Sequence, residues 1–229
     1  MSTIKERIAT IQKKITTEFE KTTFSKKPIL LAVSKIKPAE LVLEAYEAGH
    51  RDFGENYVKE LNTKAQEVEK SDIRWHFIGH LQSNKAKLLC STKNLYMMQT
   101  VHSIKIARLL NKHCQEREEP LRVMIQINTS GEENKSGCDP ENCHEIIQFI
   151  LNDCPNLKFV GIMMIGFFAQ ENDFKRLSQL KEQISKRLQI DSNEIELSMG
   201  MSNDYETAIK YGSTCVRVGS LIFGQRNYN

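Results

Sequence analysis

Short apolar runs alternate along the chain with longer stretches of helical period, and this alternation constrains the fold more than any other feature. The apolar runs fall at residues 29–34, 51–53, 74–78, 95–99, 123–128, 159–165, 195–198 and 216–218. Stretches with helical spacing of apolar residues lie between them, at 39–48, 56–69, 83–90, 103–117, 140–152, 171–189 and 203–211. Strands that alternate with helices form parallel sheets, so the pattern predicts an α/β fold.

The number of these units favours a closed barrel over an open doubly wound sheet. Eight β/α units in about 200 residues suit a TIM-type barrel. A doubly wound sheet usually has fewer strands and an early glycine-rich phosphate fingerprint, and the chain has no early GxGxxG. No low-complexity linker or repeat suggests a second domain, so we predict a single TIM (β/α)8-type barrel domain over residues 1–229.

An extra amphipathic helix precedes the first predicted strand. Ile4, Ile8, Ile11 and Ile15 recur at helical spacing and form one apolar stripe. Only residues 225–229 follow the last strand and its loop, so we expect the N-terminal helix to cover the place of the missing eighth barrel helix. A mitochondrial presequence is disfavoured, because acidic residues interrupt the positive charge of this segment.

Composition argues against several classes of partner. The 32 Lys and Arg residues nearly balance the 29 Asp and Glu residues, and a net charge of +3 gives no field that would gather nucleic acid or acidic membranes. No apolar run reaches the roughly 18 residues needed to cross a bilayer. The six cysteines are scattered without a secretory signal, so we expect reduced thiols in a cytoplasmic protein. A monomer and a weak dimer both stay open.

Lys35 directly follows the first apolar run, and Pro38 stops that strand three residues later. A neutral amine adds to an aldehyde to form an imine, whereas an ammonium group cannot. Free lysine has a pKa of about 10.4, so burial at the strand end would have to lower the pKa of Lys35. The position indicates carbonyl chemistry, with an ordinary solvated strand terminus as the alternative.

Two small loops follow the seventh and eighth strands, where barrels of this type often bind phosphate. Gly200 permits close backbone approach in the first loop, and Ser202 or Asn203 can cap the following helix. Gly219 and Ser220 form the second loop without a bulky side chain. Either glycine alone suits an ordinary turn, but their joint placement predicts a phosphate site.

Arg217, near the end of the eighth strand, can direct a permanently charged guanidinium into the barrel mouth. A structural carboxylate partner for this arginine is the alternative. An amine after the first strand, a phosphate cradle after the last two and a cationic donor between them suggest a phosphorylated aldehyde. Pyridoxal phosphate offers a partner for each of the three.

The motifs of the chain resemble those of the pyridoxal phosphate homeostasis protein family, the YggS/PROSC group, whose barrel is similar to the N-terminal domain of alanine racemase. They run in order over nearly the whole chain: Ala32-Val33-Ser34-Lys35 with Pro38, Phe53-Gly54-Glu55-Asn56-Tyr57, Trp75-His76-Phe77-Ile78-Gly79, Leu81-Gln82-Ser83-Asn84-Lys85, Leu197-Ser198-Met199-Gly200-Met201-Ser202, and Val216-Arg217-Val218-Gly219 through Phe223-Gly224. Each motif alone is weak, but the set is highly specific.

The resemblance implies where pyridoxal 5'-phosphate would bind. Lys35 would form the internal aldimine, and Ser202, Gly219 and Ser220 would hold the phosphate. The family usually has threonine at the position of Ser220, so the hydroxyl is kept here without the methyl group.

The resemblance also implies that Arg217 faces the pyridine nitrogen and that Asn56 lies beside the cofactor ring. The function it implies is non-catalytic: binding, buffering or delivery of the cofactor in vitamin B6 homeostasis. Apoenzymes that depend on pyridoxal phosphate are the candidate recipients.

Two enzyme classes are the alternatives. A racemase needs an acid on the face opposite Lys35, which alanine racemase takes from a C-terminal domain; we expect none here, because the chain ends soon after the eighth strand. A Schiff-base aldolase acting on a sugar phosphate is a further alternative. His76 and His80 have no third ligand at usable spacing, so we expect no metal site.

Overall fold

Eight parallel strands close into a barrel. The computed structural model describes residues 2–129, 136–166 and 171–225. Within these ranges the strands are β1 Ile29–Val33, β2 Asp52–Glu55, β3 Arg74–Phe77, β4 Leu95–Val101, β5 Leu121–Gln126, β6 Leu157–Met163, β7 Glu196–Met201 and β8 Cys215–Val218. Each strand pairs with the next, and β1 also pairs with β8. The predicted α/β barrel is confirmed.

Helices cover the outside of the barrel at the predicted places, and one short helix, Ser220–Phe223, was not predicted because it begins in the segment predicted as the second loop. They are α1 Ile4–Phe19, α2 Ala39–Glu47, α3 Val58–Val68, α4 Ala86–Cys90, α5 Ile104–His113, α6 Cys143–Asp153, α7 Glu171–Leu188, α8 Tyr205–Lys210 and α9 Ser220–Phe223. The stretch predicted as one helix at 83–90 is divided, because a 3₁₀ turn at Ser83–Lys85 precedes α4. Of the predicted tail at 225–229, residues 226–229 lie outside the described residues.

The N-terminal helix α1 completes the outer ring. A capping box begins it, since the Thr3 side chain accepts from the backbone of Glu6 and the Glu6 carboxylate accepts from the backbone of Thr3. Its isoleucine stripe is buried, and α1 packs against α2, α8 and α9. Arg7 ties it to the end of the chain by donating to the carbonyl of Ile222 at 3.1 Å. The helix therefore occupies the predicted place between the first and last units.

Strand register brings the carboxyl ends of β1, β7 and β8 side by side. Arg217 on β8 lies opposite Leu31 of β1 on one side and Met201 of β7 on the other. All strands run in the same direction, so the loops that follow them meet at one mouth of the barrel. This register places the segments after β1, β7 and β8 around a common space.

Two further features bear on the composition argument. Within the described ranges, no helix combines the length and the apolar character needed to span a bilayer. All six cysteines are buried free thiols.

Candidate functional site

A cavity of about 170 Å³ opens at the mouth formed by the carboxyl ends of the strands. All six residues predicted from the resemblance line it: Lys35, Asn56, Ser202, Arg217, Gly219 and Ser220. Val33, Ile78, Ile165 and Met201 supply apolar wall, and Lys37 and Gly224 complete the lining. Residues far apart in the sequence thus meet in one small space that is polar at several points.

Lys35 lies in a tight turn directly after β1 and is half-buried. The next residue, Ile36, has a φ of 61°, a left-handed conformation that a β-branched side chain rarely adopts. The backbone N–H of Ile36 donates to Glu60 Oε1 at 2.6 Å, and that of Lys37 donates to the Ser34 carbonyl at 3.1 Å. These bonds hold a strained turn in place. The lowered pKa predicted for Lys35 stays a prediction.

A buried cluster of charges lies beneath this turn. Lys64 Nζ donates to Glu55 Oε1 at 2.7 Å, to Glu60 Oε1 at 2.6 Å and to the Ser34 carbonyl at 2.7 Å. The Ser34 hydroxyl also donates to Glu55 Oε1, at 2.7 Å. Lys64 therefore connects α3 to the ends of β1 and β2, immediately before Lys35. The motifs of the sequence do not indicate this cluster, although the spacing of four between Glu60 and Lys64 is typical of a helical ion pair.

Burial raises the pKa of the Glu55 carboxyl to about 7, and the ammonium of Lys64 opposes the rise. The ordinary pKa of this carboxyl is 4.5. Between these values the folded state holds a proton that the unfolded chain releases. The contribution of Glu55 to stability is therefore present below pH 4.5 and lost as the pH rises through 7.

We expect the variant Glu55→Gln to lose this pH dependence. The glutamine still accepts from Ser34 and Lys64 but does not titrate. The free energy of unfolding of the wild type, relative to Glu55→Gln, should fall between pH 4.5 and pH 8 by an amount on the order of 3 kcal/mol at most. Urea unfolding of both proteins across this range measures the difference, and parallel profiles would contradict the expectation.

The loops after β7 and β8 contact each other as predicted. The backbone N–H of Gly219 donates to Ser202 Oγ at 3.4 Å. Gly219 also lies close to β1, because an added Cβ would come within 3.0 Å of the Val33 carbonyl oxygen. The absence of a side chain at Gly219 therefore lets this loop lie directly against the end of β1.

The prediction that Ser202 or Asn203 caps α8 is wrong. Asp204 occupies the N-cap position, and its carboxylate accepts from the Met201 backbone N–H at 2.5 Å rather than from the helix. Gly200 has a φ of 94°, and an added Cβ would lie 2.6 Å from Cβ of Ala208. The carboxylate of Asp204 therefore holds the turn, and the Ser202 hydroxyl faces Gly219.

Arg217 is buried, with 4% of its surface exposed. Its Nη1 donates to Ser198 Oγ at 2.8 Å and its Nη2 donates to the Met164 carbonyl at 2.7 Å. Among the ion pairs of the described residues none includes Arg217, so the alternative of a structural carboxylate partner is not supported. Neutral oxygen acceptors hold this guanidinium, and burial lowers its pKa from the ordinary value.

Asn56, which directly follows β2, brings an acceptor to the cavity lining. Its Oδ1 is buried and finds no hydrogen-bond partner in the described part of the chain. The loop that carries Asn56 approaches the segment after β3 so closely that an added Cβ on Gly79 would lie 1.9 Å from the Asn56 carbonyl oxygen. A buried acceptor of this kind needs a donor, and a ligand hydroxyl could supply it.

The donor set fits a phosphorylated pyridine aldehyde. An amine, a guanidinium and a small serine- and glycine-bearing loop pair line the same cavity. The unpartnered acceptor of Asn56 adds a place for a ring hydroxyl.

The two histidines considered as metal ligands have other contacts. His76 bonds to Asp52 and Gln99, and His80 stacks on His102 with ring centroids 4.8 Å apart. Across the described ranges, no group of three or more His, Cys, Asp or Glu side chains is arranged to hold a metal ion.

A family model that matches most of the chain gives the class of protein to which this barrel belongs. The model described as "Alanine racemase, N-terminal domain" matches residues 10–227. A human protein named pyridoxal phosphate homeostasis protein is 48% identical over 214 residues, which cover 88% of this chain and 78% of the human protein. The protein of that name from Vibrio alginolyticus is 40% identical over 240 residues, with 100% of each chain covered.

A solved structure provides a second comparison. PipY from Synechococcus elongatus PCC7942, with PLP bound, superimposes with a TM-score of 0.81 at 29% identity and covers 96% of this chain and 100% of PipY. The chain belongs to the pyridoxal phosphate homeostasis protein family. The resemblance found from its sequence motifs is confirmed.

Proposed function

We propose that the protein binds pyridoxal 5'-phosphate and takes part in the intracellular homeostasis of this cofactor by binding, buffering or delivering it. The observation that supports this proposal most strongly is that six residues, several of them far apart in the sequence, line one cavity. The barrel is similar to that of PipY, whose solved structure has PLP bound. Relatives named for pyridoxal phosphate homeostasis, at 40% to 48% identity, support the same function.

Each residue has a proposed role that follows from its chemistry. Lys35 holds the aldehyde as a Schiff base through Nζ. Ser202, Ser220 and the backbone of Gly219 bind the phosphate ester, since hydroxyl and N–H groups donate to anions without needing a positive charge.

The other two residues hold the ring. Arg217 donates to the pyridine nitrogen with the N–H groups that Ser198 and Met164 leave unused. Asn56 lies beside the ring, where its unpartnered Oδ1 accepts from a hydroxyl.

The proposed role is non-catalytic. When bound, pyridoxal phosphate supplies an electron sink for chemistry at the α-carbon of amino acids. A cation that faces the ring nitrogen disfavours its protonation and weakens this sink. In the described lining of the cavity there is no carboxylate, imidazole, phenol or thiol to act as an acid opposite Lys35. These features support a carrier rather than a racemase.

Hydrogen exchange distinguishes the two functions. We expect loaded protein incubated with L-alanine in deuterated water to exchange the α-hydrogen no faster than free pyridoxal phosphate does. Proton NMR of the alanine α-position measures this rate, and optical rotation follows racemisation. Rapid exchange with loss of rotation would overturn the carrier proposal in favour of the racemase, and a protein that stays colourless after incubation with pyridoxal phosphate would favour the aldolase.

We further infer that residues 1–229 form a single binding domain, since β1 to β8 close one barrel. We assign the protein to the cytoplasm, in line with its buried free thiols. Pyridoxal phosphate-dependent apoenzymes are the proposed recipients of the cofactor, and the protein acts as a monomer or weak dimer.

A further inference from the structure

A chain of buried hydrogen bonds leads from Arg217 through the interior of the barrel. Arg217 Nη1 donates to Ser198 Oγ at 2.8 Å, and Ser198 Oγ lies 2.7 Å from Gln99 Oε1. Gln99 Nε2 lies 3.2 Å from His76 Nδ1, and His76 Nε2 lies 3.0 Å from Asp52 Oδ1. This interior chain crosses from β8 through β7, β4 and β3 to the start of β2.

The two ends of the interior chain determine its polarity. A guanidinium can only donate, so Ser198 accepts from Arg217 and gives its own proton to Gln99. At the other end Asp52 accepts two bonds from Arg74, at 2.7 Å and 2.5 Å. Burial opposes ionisation of Asp52, but the bonds from Arg74 and His76 outweigh burial and hold its pKa well below the usual range. A carboxylate can only accept, so His76 donates to it from Nε2.

One arrangement of protons and amide atoms gives every residue of the interior chain a hydrogen-bond partner. With its proton on Nε2, His76 accepts at Nδ1 from the Gln99 amide nitrogen. The Gln99 oxygen must then face Ser198, whose lone pair faces Arg217. If the Gln99 amide were reversed, its nitrogen and Arg217 would both donate to Ser198 Oγ. The Ser198 hydroxyl would then have only the sulfur of Cys215, a weak acceptor, to donate to. Bonds that all run in one direction also polarise one another.

We propose that His76 and Gln99 are positioning residues that orient the Arg217 guanidinium toward the cofactor ring from the opposite end of the barrel. The inference rests on the proposed function, because Arg217 is assigned there to the ring nitrogen. Neither His76 nor Gln99 lines the cavity. They act on the ligand only through Ser198 and Arg217.

A pair of substitutions at His76 separates polarity from packing. His76→Phe keeps a ring beside Tyr96, whose ring centroid is 5.3 Å away, but offers no acceptor to Gln99 and no donor to Asp52. His76→Gln offers both. Gln99→Met breaks the interior chain at a second point and is the variant to measure if His76→Phe does not fold. Thr92→Val is the control, because Thr92 is a buried hydroxyl that bonds to the Leu88 carbonyl outside the interior chain.

The first readout is made without cofactor. Hydrogen exchange of the Arg217 Nη groups, assigned by comparison with Arg217→Lys, is measured by NMR. We expect at least a tenfold faster exchange in His76→Phe and in Gln99→Met, and wild-type exchange in His76→Gln and Thr92→Val. Unchanged exchange in both His76→Phe and Gln99→Met would overturn the proposal, as would equally fast exchange in His76→Gln.

The second readout uses pyridoxal phosphate and, separately, inorganic phosphate. In His76→Phe the dissociation constant for pyridoxal phosphate should rise about tenfold and the absorption maximum of the bound cofactor should move, while the constant for inorganic phosphate stays the same. An equal loss of affinity for both ligands would contradict a role in orienting Arg217. If the wild type binds no pyridoxal phosphate but the exchange readout behaves as expected, the proposed function fails and the positioning role stands.

Discussion

Replacing Lys35 by alanine is expected to abolish covalent retention of pyridoxal phosphate. The wild type should be yellow and absorb at about 420 nm, as Schiff bases of this cofactor do, and Lys35→Ala should lose that band. The remaining contacts of the cavity should still bind the cofactor reversibly, with a dissociation constant raised roughly 100-fold. Absorbance spectra and equilibrium dialysis measure the two effects.

The matched control is Lys59→Ala. Lys59 is an exposed lysine near the same mouth, in a neighbouring cleft that shares Asn56 with the main cavity. This variant should keep the band and bind as the wild type does. If Lys35→Ala stays yellow, or if Lys59→Ala loses the band, the assignment of the Schiff base to Lys35 is wrong.

Replacing Lys64 by methionine should lower the free energy of unfolding more than any other substitution proposed for this protein. Lys64 and Glu55 are both buried and joined at 2.7 Å, with 5% and 0% of their side chains exposed. Methionine fills a similar volume, but it leaves the Ser34 carbonyl without its Lys64 donor and leaves the Glu55 carboxyl with only the Ser34 hydroxyl as a donor. Removal of one partner of a buried ion pair costs about 3–5 kcal/mol. For a chain of this length the melting temperature should fall by roughly 10 °C.

Two further variants test the cause of this loss. Lys64→Met combined with Glu55→Gln should recover roughly half of the lost stability, because glutamine has neither a charge to bury nor a proton to take up on folding. Lys14→Met is the surface control, since Lys14 and Glu206 form an exposed pair at 3.3 Å, and it should cost less than about 0.5 kcal/mol. A cost below about 1 kcal/mol for Lys64→Met would contradict the structural role of this cluster.

Lys64→Met should also weaken retention of the cofactor, because Lys64 bonds to the Ser34 carbonyl directly before Lys35. The strained turn at Ile36 depends on Glu60, which loses its partner in the same variant. The cluster thus links the stability of the barrel to the position of the reactive amine.

The fold could be predicted from the sequence because its signal is local. Apolar runs of three to seven residues indicate strands and the stretches between them have helical period, so the alternation predicts an α/β fold and the count of eight units favours a barrel. The bonds at the start of a helix depend on which nearby polar side chain contacts the backbone, and the sequence alone does not determine this. Asp204 accepts from the Met201 N–H, whereas the sequence favours Ser202 or Asn203 as the cap of α8.

Lys35, Gly200, Ser202, Arg217 and Gly219 could be singled out from the sequence because each lies just before or after the end of a strand, and such ends meet at one mouth. The polar residues of the interior chain behind them could not be singled out from the sequence. Gln99 and Ser198 bond across the barrel interior, and that contact depends on strand register and tilt rather than on a pattern within one strand. His76 belongs to one of the family motifs and is considered as a metal ligand, but the sequence does not predict its partners Gln99 and Asp52.

Borohydride reduction of the loaded protein identifies the amine that binds the cofactor. Wild-type protein is incubated with pyridoxal phosphate, treated with borohydride, digested and analysed by mass spectrometry. A single phosphopyridoxyl group on Lys35 is the predicted result. An unmodified protein, or a group mapped to another lysine, would contradict the proposed site and its function.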